Sequence, residues 1–146
     1  MIKKTIIIII SVVVTLFLVS FTIGLTSIIV NKNEINADME KQNITTIQND
    51  MLSFEAALKL YKKDNGFYPT TEQGLKALVK KTDENPIPKN FRPNGYLKRI
   101  PRDPWGFRYV YKANTENPKH EYIITSYGVD GKPGGEGVNR DFSFYK

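Results

Sequence analysis

The sequence predicts an α+β fold in which a long N-terminal helix packs on a small antiparallel β-sheet. Three observations lead to this prediction. An uncharged apolar run occupies residues 6–30, apolar residues then recur at steps of three or four as far as Tyr61, and short runs typical of strands appear only in the C-terminal half. A helix that precedes the strands, instead of alternating with them, is typical of the α+β class. The 146 residues suffice for one ordinary domain with appendages.

Composition excludes several kinds of site. The chain contains no cysteine, so neither a disulfide framework nor a thiolate metal site is available. The single histidine, His120, leaves no His-based metal cluster and little scope for His-centred catalysis. The net charge is +6, but acidic and basic residues are mixed along the chain without blocks of like charge. We therefore expect no nucleic-acid partner.

The apolar run at residues 6–30 is long enough to cross a membrane. About 25 helical residues at about 1.5 Å each span roughly 37 Å, which exceeds the hydrocarbon core of a bilayer. The run is longer than most cleaved signal sequences and no A-x-A site follows it, so we expect a retained single-pass anchor. A buried core helix is the alternative, but the remaining chain is too small to cover it.

Basic residues predict the orientation of this anchor. Lys3 and Lys4 precede the run, whereas the far flank contains few basic residues. The positive-inside rule therefore places the N-terminus in the cytoplasm and the C-terminal body on the other side of the membrane. We accordingly divide the chain into a cytoplasmic N-terminus (1–5), a transmembrane helix (6–30), a stem helix (31–63) and a globular domain (64–146).

The stem is predicted to be an amphipathic helix. Residues 36–63 contain no Pro or Gly, and their apolar side chains fall on one helical face: Ile44, Ile47, Met51, Phe54, Leu58 and Tyr61. The stem either continues the transmembrane helix or follows a break near residues 31–33. Gly66 comes directly after Asp64-Asn65 and is suited to the left-handed position that ends a helix.

A second helix and short strands are expected after the stem. Thr70 or Thr71 is predicted to cap a helix that runs to about Lys81, and a Pro-rich loop covers residues 82–93. Runs typical of strands follow at residues 96–97, 107–111 and 121–126. The last two are predicted to form a β-hairpin with a long loop.

The glycine-rich stretch at residues 126–141, here called the C-terminal loop, is the main candidate for a functional site. It combines five glycines with three carboxylates and an Asn. Carboxylates, an Asn side chain and free carbonyls are the hard oxygen donors that Ca²⁺ prefers. An EF-hand is excluded, because Lys132 and Gly134 occupy positions that need oxygen side chains. A flexible, metal-free tail is the alternative.

The Asp103-Pro104-Trp105-Gly106 tract is predicted to be structural, because proline fixes a turn and tryptophan buries a large apolar area. Asp64, Glu72 and Asp103 are the acids available for hydrolysis, but ordinary caps and turns account for each of them. We therefore expect no enzymatic activity.

Four tracts, in this order, resemble the major pseudopilins of the type II secretion system, the G-type subunits. They are YKKDNGFYPTTEQGL at 61–75, YLKRIP at 96–101, DPWG at 103–106, and GVDG at 128–131 with the glycine-rich tail. The likeness covers the chain from about Ala37 to its end. It implies a pilin-like fold with a helical spine, a three-stranded sheet and a calcium site in the C-terminal loop.

The resemblance also implies a function and partners. Members of that family form a short periplasmic filament, built in the inner membrane, that helps to export folded proteins. The expected partners are other copies of this chain, other pseudopilins and further secretion-system components. The resemblance therefore implies a structural subunit.

Calcium ligands are also implied by the resemblance. Two of the family's positions are adjacent acids that fall here at Arg140 and Asp141, so an arginine replaces one carboxylate. Asn139 or Glu136 is expected to stand in for it. The predicted ligand set is the carbonyls of Tyr127 and Val138, the carboxylates of Asp130 and Asp141, and Asn139.

The N-terminus departs from the family pattern. Pseudopilins carry a prepilin-peptidase motif in which Gly precedes Phe-Thr-Leu-Ile-Glu, whereas this chain has Ile6, Ile7 and Ser11 at the Gly, Phe and Glu positions. A carboxylate in lipid is costly unless it finds a partner, so the family's Glu directs assembly. Ser11 supplies no such force. The alternative function is therefore a non-assembling, membrane-anchored module that docks secretion components or exported proteins.

Overall fold

The computed structural model describes residues 2–113 and 120–146, without the side chains of residues 2, 3, 8 and 9. Within these residues, the elements in chain order are helix α1 (Ile2–Asn65), a 3-10 turn (Leu75–Leu78), strands β1 (Val110–Ala113) and β2 (Tyr122–Ser126), 3-10 turns at Gly128–Asp130 and Gly137–Asn139, and strand β3 (Phe142–Tyr145). Contacts divide the chain into two compact units, Met1–Gln42 and Asn43–Lys146.

The first unit is helical and apolar. By length and composition, α1 is a candidate membrane span, with a mean hydropathy of 3.0 in its most apolar window and none of that window buried. The Thr22 hydroxyl donates to the Val19 carbonyl (2.8 Å) and the Ser27 hydroxyl to the Gly24 carbonyl (2.8 Å). These bonds satisfy hydroxyl groups that a lipid environment would leave without partners. Residues 31–33 are helical, so the helix continues through them and the alternative of a break there is wrong.

Helix α1 ends as the sequence predicts. Gly66 adopts a left-handed conformation (φ 87°), and its N–H donates to the Lys62 carbonyl at 2.7 Å. Just before this end, the Asp64 carboxylate pairs with Arg92, with 2.6 Å between Nε and Oδ2. The hydrogen bond from Arg92 holds the pKa of Asp64 below its usual range.

The core of the second unit lies between one face of α1 and the sheet. The helix contributes the predicted apolar face, and the chain around the sheet contributes mainly tyrosines; the buried residues are Ile47, Met51, Phe54, Ala57, Leu58, Tyr61, Leu75, Ala77, Leu78, Tyr109, Tyr111, Tyr122 and Ile124. Phe54 and Tyr109 pack edge to face with ring centroids 5.2 Å apart. The α+β prediction is confirmed: a long N-terminal helix packs on a three-stranded antiparallel sheet.

The strand order in the sheet is β1-β2-β3, with both neighbouring pairs antiparallel. Strand β2 is central, and its alternate residues Tyr122, Ile124 and Ser126 are buried. The predicted hairpin of residues 107–111 and 121–126 is confirmed as β1–β2, although β1 begins only at Val110. Most of its predicted loop, residues 114–119, lies outside the described part of the chain.

The strand predicted at residues 96–97 is wrong. The backbone N–H groups of Tyr96 and Leu97 both donate to the carbonyl of Leu78, at 2.7 and 3.0 Å, so they are not available to a sheet. The third strand is instead Phe142–Tyr145, which pairs with β2 through Ser126↔Phe142 and Ile124↔Phe144.

The helix predicted from Thr70 to about Lys81 is also wrong, although its cap is present. The Gln73 N–H donates to Thr70 Oγ1 (3.2 Å) and the Thr70 N–H donates to Gln73 Oε1 (3.1 Å), the reciprocal pattern of a capping box. Gly74 then adopts φ 57° and ψ −168°, which no helix can continue through. The chain therefore forms a turn followed by the short 3-10 segment Leu75–Leu78.

Asp103 ties the turn before β1 to the central strand. Its side chain is 4% exposed. Oδ1 accepts from the N–H groups of Trp105 (3.1 Å) and Phe107 (2.8 Å), and Oδ2 accepts from the Ser126 hydroxyl (2.6 Å). Trp105 stacks on Phe142 of β3 with centroids 5.8 Å apart. This geometry agrees with the structural role predicted for the tract.

We expect Asp103→Ala to lower the free energy of unfolding by about 3 kcal/mol, because two partly buried N–H groups and the buried Ser126 hydroxyl lose their acceptor. Asp103→Asn keeps the Oδ1 acceptor and should lower it by about 1 kcal/mol. Urea unfolding of the full chain in an uncharged detergent measures both. Equal losses in the two variants would contradict this assignment.

Candidate metal centre in the C-terminal loop

The C-terminal loop begins and ends at the same place in the fold. Ser126 is the last residue of β2, and its Oγ accepts from the Gly128 N–H at 3.3 Å. Gly128 has φ 65°, and a Cβ there would lie 2.6 Å from the carbonyl oxygen of Arg140. The two ends of the loop therefore touch through a glycine that no other residue can replace without strain.

The interior of the loop folds back on itself in the same way. Asp130 Oδ1 accepts from the Lys132 N–H (3.1 Å), which holds the carboxylate close to its own backbone. A Cβ at Gly135 would lie 2.4 Å from the carbonyl oxygen of Asn139. The loop thus keeps the carbonyls of Asn139 and Arg140 close to its glycines, and carbonyl and carboxylate oxygens are the donor types that a hard cation binds.

Asp141 is the residue with the strongest signal of a missing partner. Its Oδ2 accepts from the Gly134 N–H at 2.8 Å. Its Oδ1 is buried and has no hydrogen-bond partner among the described residues. Buried carboxylate oxygens are costly unless a donor or a cation satisfies them. This orphaned oxygen is therefore available to a cation.

The structure gives less information about the other predicted ligands, Tyr127, Val138 and Asn139. Tyr127 and Asp141 line the same shallow cleft of about 220 Å³ on the outer face of the sheet. Val138 is 81% exposed, and its carbonyl is the candidate donor because its side chain is hydrocarbon. The Asn139 N–H donates to the Glu136 carbonyl at 3.1 Å. Among the described residues, no three His, Cys, Asp or Glu side chains surround a common point, so carbonyls would supply most ligands.

Arg140 replaces an expected carboxylate, and the structure shows where its charge lies. The guanidinium carbon is 5.1 Å from the ring centroid of Phe142, within the range of a cation–π contact. Sequence reasoning missed this contact. Arg140 lies just before β3 with an extended backbone (φ −64°, ψ 146°), and side chains two residues apart in extended chain lie on one face. An arginine at that spacing before an aromatic residue is the pattern that signals the contact.

The dispersed acids have separate structural partners. Asp64 pairs with Arg92, and Asp103 is held by Ser126 and two N–H groups. A hydrogen bond to its own backbone, and then one from Thr70, lowers the pKa of Glu72. Each acid has its own partners, as expected of caps and turns.

Comparison with known proteins identifies the family. The sequence profile described as "Type II secretion system (T2SS), protein G" matches residues 34–144. Type II secretion system core protein G of Pseudomonas aeruginosa is 46% identical over 103 residues, which are 70% of each chain. The protein of that name from Vibrio cholerae is 45% identical over 109 residues, 75% of this chain and 69% of the relative.

A solved structure agrees with this family. The crystal structure of the major pseudopilin from the type 2 secretion system of enterohaemorrhagic Escherichia coli aligns with a TM-score of 0.65 and 37% identity. The alignment covers 73% of this chain and 90% of that one. The fold, the order of the sequence tracts and these relatives agree: this chain belongs to the protein G family of the type II secretion system, the major pseudopilins.

Proposed function

We propose that this chain is a calcium-stabilised structural subunit of a type II secretion pseudopilus. In this proposal the apolar part of α1 anchors it in the inner membrane and residues 64–146 lie in the periplasm. Its partners are other copies, other pseudopilins and further secretion-system components. It has no catalytic role and no nucleic-acid partner. The family supports the structural role, and the uncharged run at residues 6–30 supports the anchor.

The orphaned Oδ1 of Asp141 is the observation that carries the calcium part of the proposal. Calcium binds six to eight oxygens at flexible geometry, so two carboxylates supplemented by carbonyls and waters are a suitable set. Asp130 and Asp141 would supply the charge. Tyr127, Val138 and Asn139 would supply further oxygens. A bound cation would satisfy Oδ1 and hold the loop against the end of the sheet.

The expected effect of calcium is thermal stabilisation of the full chain in uncharged detergent. A ligand at one hundred times its Kd adds about 2.7 kcal/mol, which raises the Tm of a domain of this size by roughly 10 °C. Chelator should reverse the rise, and Asp141→Asn or Asp130→Ala should remove it. Asp83→Asn, which neutralises an exposed acid outside the loop, is the control. A Tm that is the same with and without calcium would refute the calcium site.

Substitutions at two neighbouring glycines test whether calcium binding needs the close backbone approach at Gly135 or only a flexible loop. Gly134 and Gly135 both have positive φ, but an added Cβ meets nothing within 4 Å at Gly134 and meets Asn139 at Gly135. Gly134→Ala should cost about 1 kcal/mol of stability and keep the calcium-induced rise in Tm. Gly135→Ala should lose most of that rise, because the carbonyl of Asn139 must move. Calorimetry with and without calcium measures both effects.

A second candidate function is a non-assembling anchored module that docks secretion components or exported proteins. The mismatch at Ile6, Ile7 and Ser11 favours it, because the peptidase motif and its intramembrane carboxylate are both missing at these positions. This module would have the same stem helix and globular domain as the filament subunit, but it would not assemble into a filament.

Mass spectrometry of the protein extracted from cells distinguishes the two candidates. For an assembling subunit we expect a shortened, N-methylated N-terminus together with a cross-linked ladder of multimers. An intact end at Met1 or Ile2 with monomer alone would support the docking module and contradict the filament subunit.

A further inference from the structure

A cleft of about 500 Å³ opens between the Leu75–Leu78 turn and the segments around residues 100–102 and 108–111. Three cationic residues line it, Lys76, Arg102 and Arg108, against the single carboxylate of Glu72. The apolar residues Leu75 and Ile100 also line it. We call this feature the basic cleft. The formal net charge of its lining residues is +2.

Backbone pairing brings two of the positive charges in the basic cleft close together. Arg102 and Arg108 are directly opposite each other in an isolated antiparallel bridge. Side chains at such positions start about 5 Å apart on one face, and like charges there are destabilising. Arg102 donates to the Gly106 carbonyl at 2.7 Å. Within the described part of the chain, the side chains of Arg108 and Lys76 make no hydrogen bond or ion pair.

A complementary surface lies on the same domain. Asp83 and Glu84 are adjacent and exposed, and neither forms an ion pair with any residue that the structure describes. We call residues 82–87 the acidic tip. It ends in Ile87, whose side chain is 48% exposed.

The backbone of the acidic tip is held in place although its acids are exposed. Gln73, 4% exposed, donates from Nε2 to the carbonyls of Glu84 (2.7 Å) and Pro86 (3.0 Å). The Glu84 N–H donates to Thr82 Oγ1 at 3.1 Å. A segment that is already ordered loses little conformational entropy on binding, which favours its use as a contact surface.

We propose that the basic cleft of one copy binds the acidic tip of a second copy. The two negative charges of the acidic tip equal the net positive charge of the basic cleft. Ile87 offers an apolar group to the apolar residues that line the cleft. Both surfaces belong to one chain, and the described residues supply neither of them with an ionic partner. A second copy of the chain therefore already carries the complementary charge. The inference rests on the proposed function as an assembling subunit, and a contact between two different patches is able to repeat from copy to copy.

The absence of cysteine in this chain makes the contact directly testable. One tagged full-length population carries Ile100→Cys in the cleft and a second carries Ile87→Cys in the tip, so all cationic and acidic side chains remain. The two populations are co-expressed in membranes and treated with a short bis-maleimide. We expect a cross-linked pair containing both tags, reduced several-fold by about 1 M salt because exposed charges are then screened.

Charge reversal tests whether the pairing is electrostatic. Arg108→Glu in the cleft population should lower the cross-linked fraction about tenfold, and Glu84→Arg in the tip population should restore it. Arg99→Glu makes the same charge change on an exposed residue outside the cleft lining and should leave the fraction unchanged. An equal loss with Arg99→Glu would overturn the proposal, because it would indicate only general charge attraction.

Assembly itself is measured separately on the cysteine-free chain with an amine-reactive cross-linker. A ladder of multimers without the cleft-to-tip cross-link would overturn this contact and leave the proposed filament subunit intact. No ladder in the cysteine-free chain would instead refute the assembling subunit, and the contact with it.

Discussion

The packing of one face of α1 on the tyrosine-rich side of the sheet is the interaction on which the rest of the domain depends. Phe54, Leu58 and Tyr61 are fully buried there and face a sheet of only three strands. Phe54 and Leu58 each contribute about 1.5–3 kcal/mol by leaving water. A sheet this small has no second layer, so the helix face is the surface that positions its strands.

Around that core, single polar groups determine where the connecting segments lie. Asp103 joins the turn before β1 to Ser126, and Ser126 in turn accepts from Gly128 at the start of the C-terminal loop. Asp141, just before β3, bonds Gly134 within the loop. The candidate calcium site is therefore built at the end of the sheet, and a cation there would act on the strand that follows it.

The predictable features were those governed by local periodicity or backbone strain. The apolar spacing from Ile47 to Tyr61 predicted the buried helix face, and Gly66 predicted the helix end. The errors came from segments whose hydrogen bonds go to distant partners. The residue types of Tyr96-Leu97 predict a short strand, but the N–H groups there donate to the Leu78 carbonyl. Phe142–Tyr145 forms a strand because the end of the loop brings it beside β2.

Residue type and spacing alone sufficed to predict an α+β chain with a membrane-length apolar helix, a glycine-rich loop of oxygen donors and a family resemblance. The folded structure was needed to show which oxygen of Asp141 lacks a partner among the described residues, where the Arg140 charge lies, and that Arg102 opposes Arg108. These features depend on burial and on strand register. Both arise from contacts between segments far apart in the chain, which no local pattern records.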